Sequence, residues 1–321
     1  MTYVVVVADD IAESGLSLLR RTPELEVVAT AGRPDLLDES VGRAHGLIVR
    51  SDTTVGRARM ARAPELRVIG RAGTGVDNID VDAATEYGIA VLAAPGANTV
   101  SAAEHTIALL LALFHRIPEA VASMRDGAWD RKRFGGREVS GKRLGVVGLG
   151  RIGARVAAIA RALGMTIVAY DPFLPAGRAA ELGVEPMPLD DLLREADVVS
   201  LHLPLTDATH HLIDRGRLAA MKPGAVVINA ARGGLVDHEA LLEALESGRL
   251  GGAALDVFEA EPLPTDSPLR RSERLLLTPH LAASTAEAQA RAAEEICRAV
   301  RDFLVGGAVR GAVNEGAARS R

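Results

Sequence analysis

Three short segments in the second half of the chain hold isolated polar side chains in Gly-rich or apolar surroundings: Asn229-Ala-Ala-Arg232-Gly-Gly, Asp256-Val-Phe-Glu-Ala-Glu261-Pro and Thr278-Pro-His280. Each follows a short apolar run, where a parallel strand would end, and open α/β sheets bind ligands in the crevice outside the carboxyl ends of their strands. An imidazole titrating near neutrality can take the proton of a hydroxyl group. A carboxylate bonded to its far nitrogen fixes the tautomer and stabilises the imidazolium that forms. A guanidinium offers a planar fork for a substrate carboxylate, and the two glycines after Arg232 leave room for it. His280, Glu261 and Arg232 are therefore the candidate base, orienting acid and carboxylate ligand for oxidation of a secondary alcohol. Taken singly, each has a structural explanation: a turn histidine after proline, a solvated loop acid, an arginine in a Gly turn. Their co-occurrence at successive strand ends carries the functional reading.

Such an oxidation needs a hydride acceptor, and residues 144–171 specify a pocket for one. An apolar run, Leu144–Val147, leads into Gly148-Leu149-Gly150-Arg151-Ile152-Gly153, an Ala-rich helical stretch follows, and a second run, Met165–Tyr170, ends at Asp171. The glycines allow a tight turn and let backbone N–H groups and the positive end of the next helix approach a pyrophosphate. Asp171 stands 21 residues after Gly150, where an acid accepts hydrogen bonds from the adenosine ribose and repels a 2′-phosphate, so the cofactor expected is NAD. In a chain with 32 glycines the motif alone would be weak. The flanking strand, the helix, Gly164 at the helix end and Asp171 at the next strand tip make it specific.

The elements that must position these groups fall into two series. Residues 1–98 alternate apolar runs (Val4–Val7, Gly46–Val49, Val68–Gly70, Ala90–Leu92) with helical stretches such as Leu16–Arg21. The second series runs through Leu144, Ile167–Tyr170, Val198–Leu203, Ala225–Asn229, Ala253–Val257 and Leu275–Thr278. This alternation predicts an α/β fold with two parallel sheets covered by helices. Between them Ser101-Ala-Ala-Glu104 reads as a capping box opening a long helix, with Ile107, Leu110, Leu111 and Phe114 on its apolar face. A last helix, about Ala286–Val305, follows the second sheet and is expected to return to the first domain, leaving a hinged cleft. The Gly-, Ala- and Arg-rich stretch Gly306–Arg321 is expected to be partly disordered.

Composition narrows the function classes. With 321 residues and 48% hydrophobic content, the chain can bury two cores. A net charge of −5 and 3% aromatic residues point away from nucleic acid. The single cysteine, Cys297, excludes an internal disulfide, fits a reducing compartment, and sits in an apolar helical stretch as a buried structural thiol. The opening Met-Thr-Tyr-Val-Val-Val-Val-Ala-Asp-Asp lacks a basic leader, and the longest apolar segment, Ile107–Phe114, is far short of the roughly 20 residues that cross a bilayer. The expectation is a soluble cytoplasmic protein with no membrane partner.

Across nearly all of residues 4–305 the chain resembles the D-isomer-specific 2-hydroxyacid dehydrogenases. The resemblance is carried by Gly46-Leu-Ile-Val-Arg-Ser51, Gly70-Arg-Ala-Gly-Thr-Gly-Val-Asp-Asn78, Gly148–Gly153, Asn229-Ala-Ala-Arg-Gly-Gly-Leu-Val-Asp237, Ala253-Ala-Leu-Asp-Val-Phe258 and Pro279-His280. It implies two Rossmann-like doubly wound parallel-sheet domains: a flavodoxin-like substrate domain (1–98 and 285–321) split around a central NAD-binding domain (99–284), which builds a homodimer. It implies Arg232, Glu261 and His280 as the catalytic set. Cofactor contacts carry over to Thr74, Gly148, Gly150, Arg151, Ile152, Gly153, Asp171, Leu203, Ala230, Arg232, Asp256 and His280, with Asp256 near the nicotinamide carboxamide or else simply an acid closing a strand.

The resemblance is strongest to members acting on a phosphorylated substrate, for which Arg50, Ser51, Arg71 and Gly73, with Arg232 and His280, would form the substrate site. The implied reaction is reversible oxidation of 3-phospho-D-glycerate to 3-phosphooxypyruvate, the first step of serine synthesis. Alternatives are reduction of hydroxypyruvate, glyoxylate or another 2-keto acid by the same machinery, and an NAD(H)-sensing interaction protein without turnover. Basic residues in Trp129-Asp-Arg131-Lys132-Arg133-Phe134 either reach a neighbouring subunit's site or form a solvated charge run. Many such relatives carry further C-terminal domains for serine-dependent regulation, so that route of feedback is not expected here. Leu281-Ala282-Ala283 also departs from a pattern that more often has Gly in the middle.

Overall fold

The computed structural model describes residues 2–314. The chain divides into two compact units, one made of the residues up to Asn98 together with those from Ala283 onward, the other of Thr99–Ala282. In the first, strands β1 (Tyr3–Val7), β2 (Leu25–Ala29), β3 (Gly46–Val49), β4 (Val68–Arg71) and β5 (Ala90–Ala93) form a parallel sheet in the order β2-β1-β3-β4-β5. This is the flavodoxin-like order. Alternate side chains go to opposite faces. Val5, Val7, Ile48, Val68 and Leu92 pack with Leu19 and the Ala286–Gly306 helix, whereas Val4, Val6, Leu47, Ile69 and Val91 pack with Leu37, Met60 and Ala83. Burial on both faces explains why these strands read as continuous apolar runs.

The Ala286–Gly306 helix belongs to the first unit and lies hard against its sheet. A β-carbon at Gly70 would fall 2.6 Å from Val300 Cγ2 and 2.8 Å from Ile296 Cγ1. Cys297 is fully buried on the same face, and burial pushes its thiol up to about 12, so it is an inert packing group. Of the stretch expected to be partly disordered, Ala312 pairs antiparallel with Leu92, the Val313 N–H donates to Val91 O (2.8 Å) and Asn314 Oδ1 accepts from Val91 N (2.8 Å). The remainder, 315–321, lies outside the described residues.

The second unit contains β6 (Arg143–Val147), β7 (Thr166–Tyr170), β8 (Glu185–Pro186), β9 (Val198–Leu201), β10 (Val226–Asn229), β11 (Gly252–Leu255) and β12 (Leu275–Leu277), all parallel, in the order β12-β11-β10-β9-β6-β7-β8. The winding reverses between β6 and β9, the Rossmann arrangement with one strand added. The long helix covers Thr99–Phe114 and buries Ile107, Leu110 and Phe114 as its apolar spacing predicts. Ser101 is not its cap: the helix begins two residues earlier, so the Ser101–Glu104 pair lies within the first turns. Among the described residues no single helix is long and apolar enough to cross a membrane.

Two strands escape the apolar-run reading. In β2, Glu26 interrupts Leu25-Glu-Val-Val-Ala29, and β8 is a two-residue edge strand with both residues exposed. Several runs expected as strands stop early, at Leu201, Leu255 and Leu277.

Candidate functional site

Three adjacent strands of the second unit deliver the chemistry. β10 ends at Asn229, which is fully buried and shapes the next turn from within: its Nδ2 donates to Arg232 O (2.8 Å) and its Oδ1 accepts from Ala231 N (3.1 Å). Gly233 then packs so closely on the neighbouring loop that a β-carbon would meet the Phe258 carbonyl carbon at 2.0 Å and Glu259 N at 2.4 Å. Gly233 thus lets the Arg232 turn nest against the loop that carries Glu261. Glu261 Oε1 accepts from Phe258 N (2.9 Å), and Oε2 lies 2.7 Å from Nδ1 of His280, which follows β12.

The pair is electrostatically coupled. The hydrogen bond that His280 donates to Glu261 raises the His280 pKa above its ordinary value against the opposing effects of burial and the Arg232 charge. Burial alone would push Glu261 up, but His280 and the Phe258 N–H together hold it below the usual carboxylate range. With Nδ1 committed to Glu261, Nε2 is the ring nitrogen left for a ligand. Arg232, whose Nη1 donates to Ala231 O (2.7 Å), is close enough for its charge to be felt at His280.

His280 has φ +53°, the left-handed region that non-glycine residues rarely occupy. Asp256, with no exposed surface, holds it there: its carbonyl accepts from His280 N (2.8 Å), its Oδ1 from Leu281 N (2.8 Å) and Thr278 Oγ1 (2.5 Å), and its Oδ2 from Ala282 N (2.9 Å). Burial would raise the Asp256 pKa, but His105, Thr278 and the two backbone N–H groups keep the carboxyl below its ordinary range. His105, which the motif reading passed over, comes from the long Thr99–Phe114 helix. Nothing in its sequence neighbourhood marks it, because the groups it meets are more than 150 residues away.

The Gly148–Gly153 turn lies on the same edge of the sheet, between β6 and the Arg151–Ala162 helix. Gly148 (φ +95°) could not carry a β-carbon without meeting His202 O at 2.7 Å, and one at Gly153 would fall 2.1 Å from Gly148 O. At Gly150 the same position meets nothing within 4 Å. No side chain caps the helix that begins at Arg151, which leaves its N-terminal end without a side-chain acceptor, as a pyrophosphate site requires. Asp171, after β7, braces the turn: Oδ2 accepts from Leu149 N (2.8 Å) and Oδ1 from Phe173 N (2.9 Å). Leu203 follows β9 beside Gly148, and Ala230 follows β10. The residues present therefore fit a dinucleotide.

The first unit holds the other expected ligands. Arg50 and Ser51 follow β3, and Gly73 and Thr74 follow β4, which ends at Arg71. Asp9 and Asn78, both missed as supports, fix the 50–53 loop. The Asp9 carboxylate accepts from Arg50 N (2.5 Å), Thr53 N (3.3 Å) and the Thr53 hydroxyl, while Asn78 Nδ2 donates to Arg50 O (2.7 Å) and Thr53 O (2.6 Å). Arg71 lays its guanidinium over Gly73, where a β-carbon would fall 1.7 Å from Nη1. Thr74 Oγ1 donates to Asn98 Oδ1 (2.8 Å).

An α/β unit with a glycine-turn nucleotide edge and a His–Glu–Arg group at neighbouring strand ends has the make-up of a nicotinamide-dependent dehydrogenase. The family model described as D-isomer specific 2-hydroxyacid dehydrogenase, NAD binding domain, matches residues 107–282. D-3-phosphoglycerate dehydrogenase of Mycobacterium leprae (strain TN) is 50% identical over 311 residues, covering 97% of this chain and 58% of the relative. A crystal structure of a protein from Thermus thermophilus superposes with a TM-score of 0.88 at 40% identity, covering 97% of this chain and 99% of that one. D-lactate dehydrogenase from Aquifex aeolicus, solved with NAD and lactic acid, superposes with a TM-score of 0.82 at 30% identity, covering 97% and 99%. The chain belongs to the D-isomer specific 2-hydroxyacid dehydrogenases. It spans less than two thirds of the length of the curated relatives it matches.

Proposed function

We propose that this chain catalyses the NAD-dependent oxidation of 3-phospho-D-glycerate to 3-phosphooxypyruvate, the first step of serine synthesis. The observation that carries the reading is the 2.7 Å pair between His280 Nδ1 and Glu261 Oε2, with the Arg232 charge beside it. The 50% identity to a phosphoglycerate dehydrogenase supports the phosphorylated substrate over the other 2-hydroxy acids.

In this reading residues 99–284 form the NAD-binding domain and 1–98 with 285–321 the substrate domain. NAD, held by the Gly148–Gly153 turn including Arg151 and Ile152, by Asp171, and by Thr74, Leu203, Ala230, Arg232, Asp256 and His280, supplies the hydride acceptor. Arg232 binds the substrate carboxylate. His280 takes the hydroxyl proton at Nε2 as the C–H bond is broken, and Glu261 holds the tautomer and stabilises the imidazolium. Arg50, Ser51, Arg71 and Gly73 bind the remaining anionic groups; a phosphate needs several donors, and Arg supplies them as a fork.

The chain acts as a homodimer in a reducing, cytoplasmic compartment. Support comes from the Ile117–Arg125 helix, which buries none of its residues and exposes Ile117, Val121 and Met124 around a depression of about 420 Å³. Apolar residues gathered in this way on a surface mark an interaction site. The test of the activity is NADH formation from 3-phospho-D-glycerate, with Arg50→Ala and Arg71→Ala expected to raise KM for that acid far more than for unphosphorylated D-glycerate. Equal turnover of unphosphorylated 2-hydroxy acids would move the assignment to another substrate, and tight NADH binding with no turnover would mean a sensor.

A further inference from the structure

We propose that His105 is a positioning residue for the base: through the buried carboxylate of Asp256 it holds the 278–282 loop in the conformation that presents His280. The inference rests on the reading of His280 as the base. Its ground is that the loop grips a single acid. The N–H groups of Leu281 and Ala282 both close on the Asp256 carboxylate, while that of His280 donates to the Asp256 carbonyl, and adjacent backbone donors of this kind favour a negative charge between them.

A carboxylate without exposed surface persists as an anion only if donors replace the lost water. Thr278 and the two loop amides supply three donors to the carboxylate, all from the segment being held. His105 supplies the one from elsewhere. Its Nε2 lies 3.2 Å from Asp256 Oδ1 and 3.3 Å from Thr278 Oγ1, and it stands on a helix anchored by Ile107, Leu110 and Phe114 in the core.

That outside anchor matters because His280 sits at φ +53°, a conformation an L-residue keeps only while its surroundings impose it. Without the His105 donor, Asp256 is less well solvated and its grip on Leu281 and Ala282 slackens. The imidazole at 280 then samples orientations other than the one paired with Glu261. His105 itself hydrogen-bonds to neither Glu261 nor His280, so its effect passes through Asp256 and Thr278.

The test uses the full chain, first without ligands. Amide hydrogen exchange at Leu281 and Ala282 is expected to quicken about tenfold in His105→Ala, the loss of one hydrogen bond's worth of protection, while β10 amides such as Val227 keep theirs. His105→Gln, whose amide N–H can stand in for Nε2, should restore protection to within about threefold. Should the alanine variant not fold, His105→Asn, with a side chain too short to reach Asp256, takes its place. With 3-phospho-D-glycerate and NAD, kcat should fall about tenfold in the alanine or asparagine variant and recover in His105→Gln, with the NADH Kd within about threefold of wild type. Unchanged exchange at 281 and 282, or a uniform rise across the domain, overturns the proposal. So does an unchanged kcat accompanied by weakened NADH binding. If the wild type turns over no acid, the function reading fails and the exchange measurement decides the positioning role alone.

Discussion

Two glycines three residues apart should fail in opposite ways when given a methyl group. At Gly153 the new β-carbon would fall 2.1 Å from the carbonyl oxygen of Gly148, with Val146 Cγ1 at 3.2 Å. The obstacle is backbone, so relief requires the Arg151–Ala162 helix to move away from β6 by roughly 1 Å, and overpacking of this kind costs about 1–3 kcal/mol. The helix buries Val156, Ala157 and Ala160 against the sheet, and that interface is what the shift would open. Gly153→Ala should therefore lower the urea midpoint with m unchanged, and weaken NADH as a secondary consequence. At Gly150 the β-carbon meets nothing within 4 Å, so Gly150→Ala should leave the unfolding free energy within about 0.5 kcal/mol of wild type. Its methyl group would instead stand where the pyrophosphate approaches the helix end, and NADH affinity should drop at least about tenfold, about 1.4 kcal/mol. Urea unfolding followed by circular dichroism, and NADH fluorescence titration, measure the two effects on the same samples. A Gly153→Ala protein as stable as wild type, or a Gly150→Ala protein that binds NADH normally, would refute the division of labour.

Because Glu261 is what chiefly raises the His280 pKa, oxidation should fall as pH drops through a value above 6.5, and Glu261→Gln should move that limb of the kcat/KM profile to lower pH; an unmoved limb would remove His280 from the role of base. His202 is partly buried, and the loss of water around its ring lowers its pKa from 6.5 to about 4, leaving it neutral. Below 6.5 the unfolded chain takes a proton the folded one refuses, so stability is lost as pH falls through that range, by about 2 kcal/mol between pH 7 and 5. His202→Gln should flatten this part of the pH dependence of urea unfolding. Met124→Asp, placing a charge on the exposed apolar helix, should shift the sedimentation of the chain toward monomer without changing its far-UV spectrum; a wild-type monomer would dispose of the dimer at once.

What was legible in the sequence had short-range causes. The glycine turn could be read because strand, turn and helix are consecutive and each glycine answers a local demand, a positive φ at 148 and a backbone collision at 153. Arg232, Glu261 and His280 could be read because parallel strands place successive strand ends side by side, so that the 2.7 Å pair between residues 261 and 280 follows from topology. The supports were not legible. Asp9 reaches the Arg50 loop across 41 residues and His105 reaches Thr278 across 173, and a lone Asp or His in a strand end or helix carries no mark of a partner that far away. The Ser101–Glu104 pair misled for the converse reason: it satisfies a local rule at a place where the helix has already started. Glu26 hid β2, because at an edge of the sheet a charged residue is tolerated that a central strand would not accept.

The dependence of the first sheet on the Ala286–Gly306 helix sets an order of events during synthesis. Emerging from the ribosome, the five strands of residues 3–93 have one face whose partners, Ile296, Val300 and Phe303, do not yet exist. The central unit carries all of its own core and can close while the opening strands still wait for their cover. A nascent chain halted before the last helix would thus expose Val5, Val7, Ile48 and Val68 to solvent, making the N-terminal third the segment most in need of a chaperone.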